Sequence, residues 1–200
     1  MRFASIEYIK SVPFMLVVWT LWFLPNSDGA RTAMRERLVA ALLCAVPIML
    51  ITRLLANYLL PFSFRPIHTD GLDLRLFEWQ RLSVLYGWNS MPSAHASHFV
   101  GLAMAILLIH RGFGVFLLAW AVLVVSVPRI VLGLHWPSDI VVGAGIGVAF
   151  AVVLLEPITR LVRTSGLVPF FEAREMIGYP LLFLVTYELS RMFEFTRYLI

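Results

Sequence analysis

Charged residues are scarce in this chain: only 14% of its 200 residues are Asp, Glu, Lys or Arg, whereas 60% are hydrophobic. A soluble domain of this size carries about 25% charged residues to cover its surface. The low charge therefore excludes a free cytosolic enzyme and a disordered chain. It indicates an integral membrane protein whose apolar helices face lipid.

Cysteine and lysine are also nearly absent. Cys44 is the single cysteine, so no intrachain disulfide can form, and its apolar surroundings predict a small buried residue. Lys10 is the only lysine among 16 basic residues, so arginine dominates the formal net charge of +4. The arginines are scattered at the ends of apolar runs rather than gathered in dense mixed patches. We therefore expect contacts with membrane headgroups and anions, and no nucleic-acid partner.

Six apolar runs predict an all-α, polytopic membrane bundle of about six helices that forms one domain over residues 1–200. The first run is short enough for a signal peptide, but no clear cleavage site follows it, so we interpret it as a spanning helix. The sixth contains Glu188 and Arg191 and either spans or lies in the interface. The runs are Val12–Leu24, Leu38–Leu60, Ala94–His110, Gly112–Leu132, Ile140–Ile158 and Met176–Phe193.

The connections between these runs differ in length. The polar connection from Leu60 to Pro92 contains aromatic residues suited to the headgroup level. The segments Pro25–Arg37 and Thr159–Glu175 are short and bear arginines, which predicts solvated loops. In the fifth run, the glycines predict close approach by a neighbouring helix, and they are Gly143, Gly145 and Gly147.

Three short polar stretches lie at the ends of predicted helices. Phe64-Arg65-Pro66 follows the second helix, residues 92–98 begin the third, and residues 129–139 join the fourth to the fifth. The second helix ends where the third begins, and the fourth returns to that same face. Counting helices therefore places all three stretches on one side of the bilayer.

The first chemistry that these stretches suggest is anion binding. Arg65 and Arg129 have permanently charged guanidinium groups. The N–H donors of a guanidinium are spaced to form two hydrogen bonds with phosphate oxygens. Pro92 suits the first turn of a helix, so the amides of Ser93, Ala94 and His95 would be free to bind an anion. The Ser93 hydroxyl adds a donor, although a simple helix cap is the alternative interpretation.

The second chemistry is proton and phosphoryl transfer. Asp139 lies four residues after His135, close enough to orient one ring nitrogen and make the other a better nucleophile or base. His95 supplies a second imidazole that can protonate a leaving oxygen. An anion cradle with two such histidines suits phosphoryl transfer through a phosphohistidine.

The order of these motifs resembles the signature of the type 2 phosphatidic acid phosphatase superfamily. That signature reads Lys-x6-Arg-Pro, Pro-Ser-Gly-His and Ser-Arg-x5-His-x3-Asp, and the resemblance covers about Tyr58 to Gly147. It implies a membrane lipid phosphatase that needs no metal or other cofactor. In that interpretation His135 is the nucleophile, Asp139 its orienter and His95 the general acid. The implied phosphate ligands are Arg65, Arg129, Ser93 and the Ala94 amide.

The chain departs from the family pattern at three positions. Tyr58 stands where the family has Lys, Ala94 where it has Gly, and Pro128 where it has Ser. The lysine change removes one positive charge from the expected cradle. Arg75 and Arg81, in the long connection, are the candidates to replace it.

Alternatives remain open at this point. His95 and His98 are one turn apart and would bind a metal if His135 and Asp139 joined them. Arg53, inside the second helix, must face protein or water, and Glu156 is a candidate partner.

The resemblance implies a substrate of the phosphatidic acid, phosphatidylglycerol phosphate or undecaprenyl pyrophosphate type. A lipid phosphotransferase and a non-catalytic lipid-binding protein are the rival functions. We expect a multi-pass protein of the bacterial inner membrane with a periplasmic site. The basis is the cluster Arg31, Arg35 and Arg37, which favours a cytoplasmic first loop. The sequence leaves the oligomeric state open.

Overall fold

The computed structural model describes residues 7–25, 27–72, 74 and 85–190, among which the regular secondary structure is helical and no strand is present. The short helical turns Leu55–Leu59 and Ala121–Ser126 extend α2 and join α4 to α5. The α-helices are α1 (Glu7–Phe23), α2 (Asp28–Leu54), α3 (Ala94–Ile109), α4 (Arg111–Trp120), α5 (Val127–Val131), α6 (Pro137–Ser165), α7 (Leu167–Glu172) and α8 (Glu175–Ser190).

Three continuous helical stretches in the described part of the chain are long and apolar enough to cross a membrane. They are Asp28–Leu59, Arg111–Val131 and Pro137–Ser165. The apolar stretches Ile9–Phe23 and Ala94–Ile109 are shorter. The prediction of an all-α membrane bundle is confirmed. These five stretches and α8 correspond to the six predicted apolar runs.

Helix α3 lies at the centre of the bundle and contacts α2, α4 and α6. Phe99 and Ile106 on α3 are fully buried, as are Ala103 and Ala105. A helix that is hydrophobic all round is expected to be enclosed by its neighbours. Large apolar side chains such as Val153 on α6 instead lie exposed on the outside, where a bilayer would cover them.

Helix α6 approaches α3 closely because glycines line the contact. A Cβ atom added to Gly147 would lie 2.3 Å from the Ser97 carbonyl oxygen, and one added to Gly143 would lie 2.5 Å from that of Ser93. The prediction for Gly145 was wrong, because nothing lies within 4 Å of a Cβ atom at that position. Gly143 and Gly147 therefore set the distance between α3 and α6.

The two predicted short loops are largely helical. Helix α2 begins at Asp28 rather than Leu38, and α6 continues to Ser165. Ion pairs that each have one buried partner explain the difference, since Nη1 of the buried Arg35 lies 2.7 Å from Glu172 Oε1. In the same region Arg163 Nε lies 2.8 Å from Glu36 Oε2. These charges join helices at the end of the bundle where α2 begins.

We expect Gly147→Ala to destabilise the protein and Gly145→Ala to leave it nearly unchanged. The added methyl at position 147 must displace the backbone of α3, and such overpacking costs about 1–3 kcal/mol. The thermal unfolding midpoint in detergent should fall by about 2–10 °C for Gly147→Ala. Equal midpoints for the two variants would contradict this description of the α3–α6 contact.

Candidate active site

The three polar stretches meet at the end of the bundle where α2 ends and α3 and α6 begin. The Ser93 amide donates to the Asp139 carbonyl at 3.0 Å, and the Ile67 amide donates to the Gly133 carbonyl at 2.9 Å. Gly133 has φ +64°, a left-handed conformation that favours glycine, and it turns the chain between α5 and α6. The convergence expected from counting helices is therefore present.

Hydrogen bonds determine which nitrogen of His135 carries the proton. Nδ1 lies 2.9 Å from the Ser90 carbonyl oxygen, and Nε2 lies 3.2 Å from Arg65 Nη1. A carbonyl only accepts and a guanidinium only donates, so Nδ1 is protonated and Nε2 carries the lone pair. His135 is 3% exposed, so its unprotonated Nε2 lies beside a cation in a buried position.

Asp139 acts on His135 mainly through Ser90. Its Oδ2 accepts hydrogen bonds from Ser90 Oγ at 2.5 Å and from the Trp136 amide at 2.8 Å. The distance from Oδ2 to His135 Nδ1 is longer, at 3.4 Å. Asp139 thus holds the residue whose carbonyl accepts from His135, and it also caps the first turn of α6.

The surroundings favour the neutral form of His135. Burial lowers the pKa of His135 from its ordinary value of 6.5. The Asp139 carboxylate, 3.4 Å from Nδ1, opposes this shift, and the charges of Arg65 and Arg129 reinforce it. At neutral pH the Nε2 lone pair is therefore available.

His95 and Arg129 form a second histidine–arginine pair. Arg129 Nη2 lies 2.5 Å from His95 Nε2. Because the guanidinium must donate, this Nε2 accepts. His95 is half-buried in the first turn of α3, and Arg129 is 8% exposed. Each histidine therefore presents its Nε2 to an arginine.

Backbone carbonyls hold Arg65 in place. Its Nη1 donates to the Leu134 carbonyl at 2.5 Å, and its Nη2 donates to the Asn89 carbonyl at 3.1 Å. The Asn89 side chain in turn donates to the Ala56 carbonyl at 2.8 Å and accepts from the Ser63 amide at 3.0 Å. Asn89 thereby connects the end of α2 to the arginine.

Ser93 and Ala94 occupy the start of α3, but only part of the expected amide site is free. The Ser93 amide is bonded to Asp139, and Ser93 Oγ accepts from the Ala96 amide at 3.4 Å as a helix cap. Ala94 is the first residue of the helix, where an amide has no intrahelical acceptor. Ala94 therefore remains the better candidate for donating a backbone amide to an anion.

Two other candidates, Tyr58 and His98, have different surroundings. Tyr58 is 79% exposed in the turn that extends α2. Arg75 and Arg81 lie outside the described residues. His98 is fully buried and packs edge-on against Phe99, with 5.0 Å between ring centroids.

The metal alternative finds no support in the described ranges. Among these residues no group of three or more His, Cys, Asp or Glu side chains is placed to hold a metal ion.

Sequence reasoning missed Asn89 and Ser90. Ser90 is fully buried, with its carbonyl oxygen bonded to His135 and its hydroxyl to Asp139. Both residues act on the site largely through their own carbonyls, and any residue type has a carbonyl. The only available signal was their position, directly before the Pro92 motif in a polar connection.

This fold defines a helical membrane protein with two histidine–arginine pairs at one end of its bundle. The chain belongs to the PAP2 superfamily, whose family model matches residues 60–162. That range includes both histidine–arginine pairs and Asp139, so the resemblance read from the motifs is confirmed at the level of the superfamily. No curated protein and no solved structure matches the chain.

We expect His135 to be neutral at pH 6.5, with its proton on Nδ1. The acceptor at Nδ1 and the arginine at Nε2 require this tautomer, and burial lowers the pKa below 6.5. NMR of protein labelled with ¹⁵N-histidine, with the signal assigned by its loss in His135→Gln, measures both properties. An Nε2-protonated ring, or half-protonation above pH 6.5, would contradict the described hydrogen bonds.

Proposed function

We propose that this protein is a membrane lipid phosphatase that hydrolyses a phosphomonoester or pyrophosphate on a lipid headgroup through a phosphohistidine. The observation that carries the proposal is the state of His135. Its Nδ1–H is bonded to the Ser90 carbonyl, and its Nε2 lone pair faces Arg65. A neutral, oriented imidazole beside a cation is suited to attack on a phosphoryl group.

Binding of the phosphoryl group would rearrange the two arginine contacts. A charged phosphate oxygen is a stronger acceptor than an imidazole nitrogen, so Arg65 and Arg129 would donate to it. His135 Nε2 would then face the phosphorus atom. His95 Nε2 would no longer face a donor and could carry a proton.

The reaction then proceeds in two displacements. Nε2 of His135 forms a bond to phosphorus while the bond from phosphorus to the lipid oxygen breaks, and His95 gives that oxygen its proton. A water molecule next attacks the phosphohistidine, and His95 takes the proton from this water. Inorganic phosphate leaves, and both imidazoles return to their starting state.

The cradle supplies the charge stabilisation that phosphoryl transfer requires. Arg65 and Arg129 are both buried and positioned before reaction, so little reorganisation is needed as charge develops. The Ala94 amide, at the start of α3, adds a dipole of the right sign. The Ser93 hydroxyl contributes mainly by capping this helix.

We expect His135→Gln to abolish hydrolysis of lipid phosphates by the purified protein, since no other side chain replaces the nucleophile. His95→Gln should slow kcat by about 10²–10⁴-fold, the usual contribution of a positioned acid–base group. Phosphate release measures both effects.

His110→Asn is the matched control. His110 caps α4 and follows the end of α3 that is opposite the site, and Asn keeps a capping group. This variant should retain wild-type activity. Turnover that survives in His135→Gln would contradict the mechanism. Transfer of phosphate to an added alcohol in preference to water would indicate the transferase instead.

We also propose that the protein resides in a bacterial inner membrane with this site on the periplasmic side. Arg31 and Arg37 lie near the start of α2, at the end of the bundle opposite the site. Positive charge beside the first helices favours the cytoplasmic side for that end.

Substituted cysteines test this orientation in a Cys44→Ala background. Asp70 is exposed near the site, and Asp28 is exposed at the opposite end. In intact spheroplasts an impermeant maleimide should label Asp70→Cys, whereas Asp28→Cys should react only after lysis. The reverse pattern would place the site in the cytoplasm.

A further inference from the structure

Helix α2 ends in a turn that leaves one carbonyl oxygen without a main-chain donor. In the π-helical turn Leu55–Leu59 a carbonyl pairs with the amide five residues later, and the Leu60 amide donates to the Leu55 carbonyl at 2.9 Å. The next carbonyl, that of Ala56, would pair with residue 61, which is Pro61 and has no N–H. The Ala56 carbonyl therefore needs a donor from elsewhere in the chain.

Asn89 supplies this donor from the far end of the long connection. Its Nδ2 donates to the Ala56 carbonyl at 2.8 Å and to the Pro61 carbonyl at 3.3 Å. Its Oδ1 accepts from the Ser63 amide at 3.0 Å and from the Met91 amide at 3.3 Å. The side chain of Asn89 thus fixes its own backbone to the end of α2.

A cation–π contact lies beside this attachment. Arg53, in the last turn of α2, has its Cζ atom 4.9 Å from the centre of the Trp88 ring. The expected partner of Arg53 was Glu156, but that prediction was wrong, because Glu156 pairs with Arg160 at 3.3 Å. The returning connection therefore contacts the end of α2 through two successive residues, Trp88 and Asn89.

The backbone of Asn89 and Ser90 contacts both members of one histidine–arginine pair. The Asn89 carbonyl accepts from Arg65 Nη2 at 3.1 Å, and the Ser90 carbonyl accepts from His135 Nδ1 at 2.9 Å. Ser90 is itself fixed, because its hydroxyl donates to Asp139. Two consecutive peptide carbonyls therefore hold the arginine and the histidine, whose Nη1 and Nε2 atoms lie 3.2 Å apart.

The guanidinium of Arg65 is held at both of its terminal nitrogens. Nη1 donates to the Leu134 carbonyl and Nη2 to the Asn89 carbonyl. Nε is buried and has no hydrogen-bond partner among the described residues, so its N–H is a donor still to be satisfied. An anion that accepts from this N–H meets a guanidinium already in place, which lowers the cost of binding.

We propose that Asn89 is the positioning residue that holds Arg65 for phosphate binding, because its side chain anchors the Asn89–Ser90 segment to the end of α2. This inference rests on the proposed function, in which Arg65 binds the phosphoryl group. Asn89 touches no reacting atom and acts through Arg65. Without its side chain, the segment is released from α2, Arg65 loses a fixed acceptor, and the guanidinium moves away from His135 Nε2.

The affinity of the purified protein for orthovanadate, a mimic of the phosphoryl group, is the first measurement. Asn89→Ala should weaken binding by about tenfold or more, since one charge-assisted contact loses its fixed donor. Asn57→Ala is the matched control, because Asn57 is exposed and lies beside Ala56 in the same turn. This control should bind orthovanadate as the wild type does.

A double-mutant cycle shows whether Asn89 acts through Arg65. Arg65→Gln alone should weaken orthovanadate binding, and adding Asn89→Ala to it should change the affinity by less than about twofold. An equal effect of Asn89→Ala in both backgrounds would assign Asn89 a general structural role and overturn the proposal.

Asn89→Ser is the second variant, which is used if Asn89→Ala does not fold. A serine keeps an oxygen that can accept from the Met91 amide, but it is too short to replace the bond to the Ala56 carbonyl. Its affinity for orthovanadate should fall as far as that of Asn89→Ala. Wild-type affinity in a folded Asn89→Ser protein would overturn the anchoring to α2.

The protonation of His135 separates failure of this inference from failure of the proposed function. The charge of Arg65 lowers the pKa of His135, so that pKa should rise in Asn89→Ala and stay unchanged in Asn57→Ala. Arg129 and Asp139 are the other charged groups that act on His135, and neither contacts the side chain of Asn89. NMR of ¹⁵N-histidine measures this pKa without turnover.

The two measurements together decide between the outcomes. A raised pKa and weaker orthovanadate binding in Asn89→Ala, with no hydrolysis of lipid phosphates by the wild type, would retain the role of Asn89 and refute the phosphatase. An unchanged pKa of His135, or an unchanged affinity for orthovanadate, would overturn the inference whatever the turnover.

Discussion

The buried carboxylate of Asp139 is the constraint on which the rest of the site depends. It accepts from the Ser90 hydroxyl and the Trp136 amide, and it is 1% exposed. A buried carboxylate must be satisfied by donors, and here those donors belong to the two segments that flank the site. Ser90 is thereby fixed with its carbonyl facing His135. The tautomer of His135 thus depends on the hydrogen bond that Asp139 accepts from Ser90.

Much of the fold could be predicted because it follows from composition and order. The scarcity of charge indicated a membrane bundle, and counting helices was enough to bring Arg65, His95 and His135 to one end. The two loop predictions were wrong for another reason, which is that charged residues were expected to face solvent. Arg35 lies in a loop-like, polar stretch of sequence, yet it is buried in an ion pair that continues α2. A sequence pattern does not show which charges find partners.

The finer organisation of the site could not be predicted for a related reason. Asn89 and Ser90 contribute backbone carbonyl oxygens. Every residue type has one, so the identity of the residue does not reveal this role. Arg53 was expected to pair within the bundle, but its contact with Trp88 depends on how the long connection returns over the end of α2. Gly145 and Gly147 are both glycines in the same apolar run, and they differ only in the face of α6 on which they lie. In each case the missing information is tertiary contact.

The identity of the phosphorylated atom tests the central claim most directly. Rapid quench of the reaction in alkali, followed by peptide mapping and ³¹P NMR, would locate any trapped phosphate. The described hydrogen bonds leave the lone pair of His135 on Nε2, so the proposed mechanism predicts phosphate on that nitrogen. Phosphate on Nδ1 of His135, on His95, or on no residue while the enzyme turns over would contradict the account.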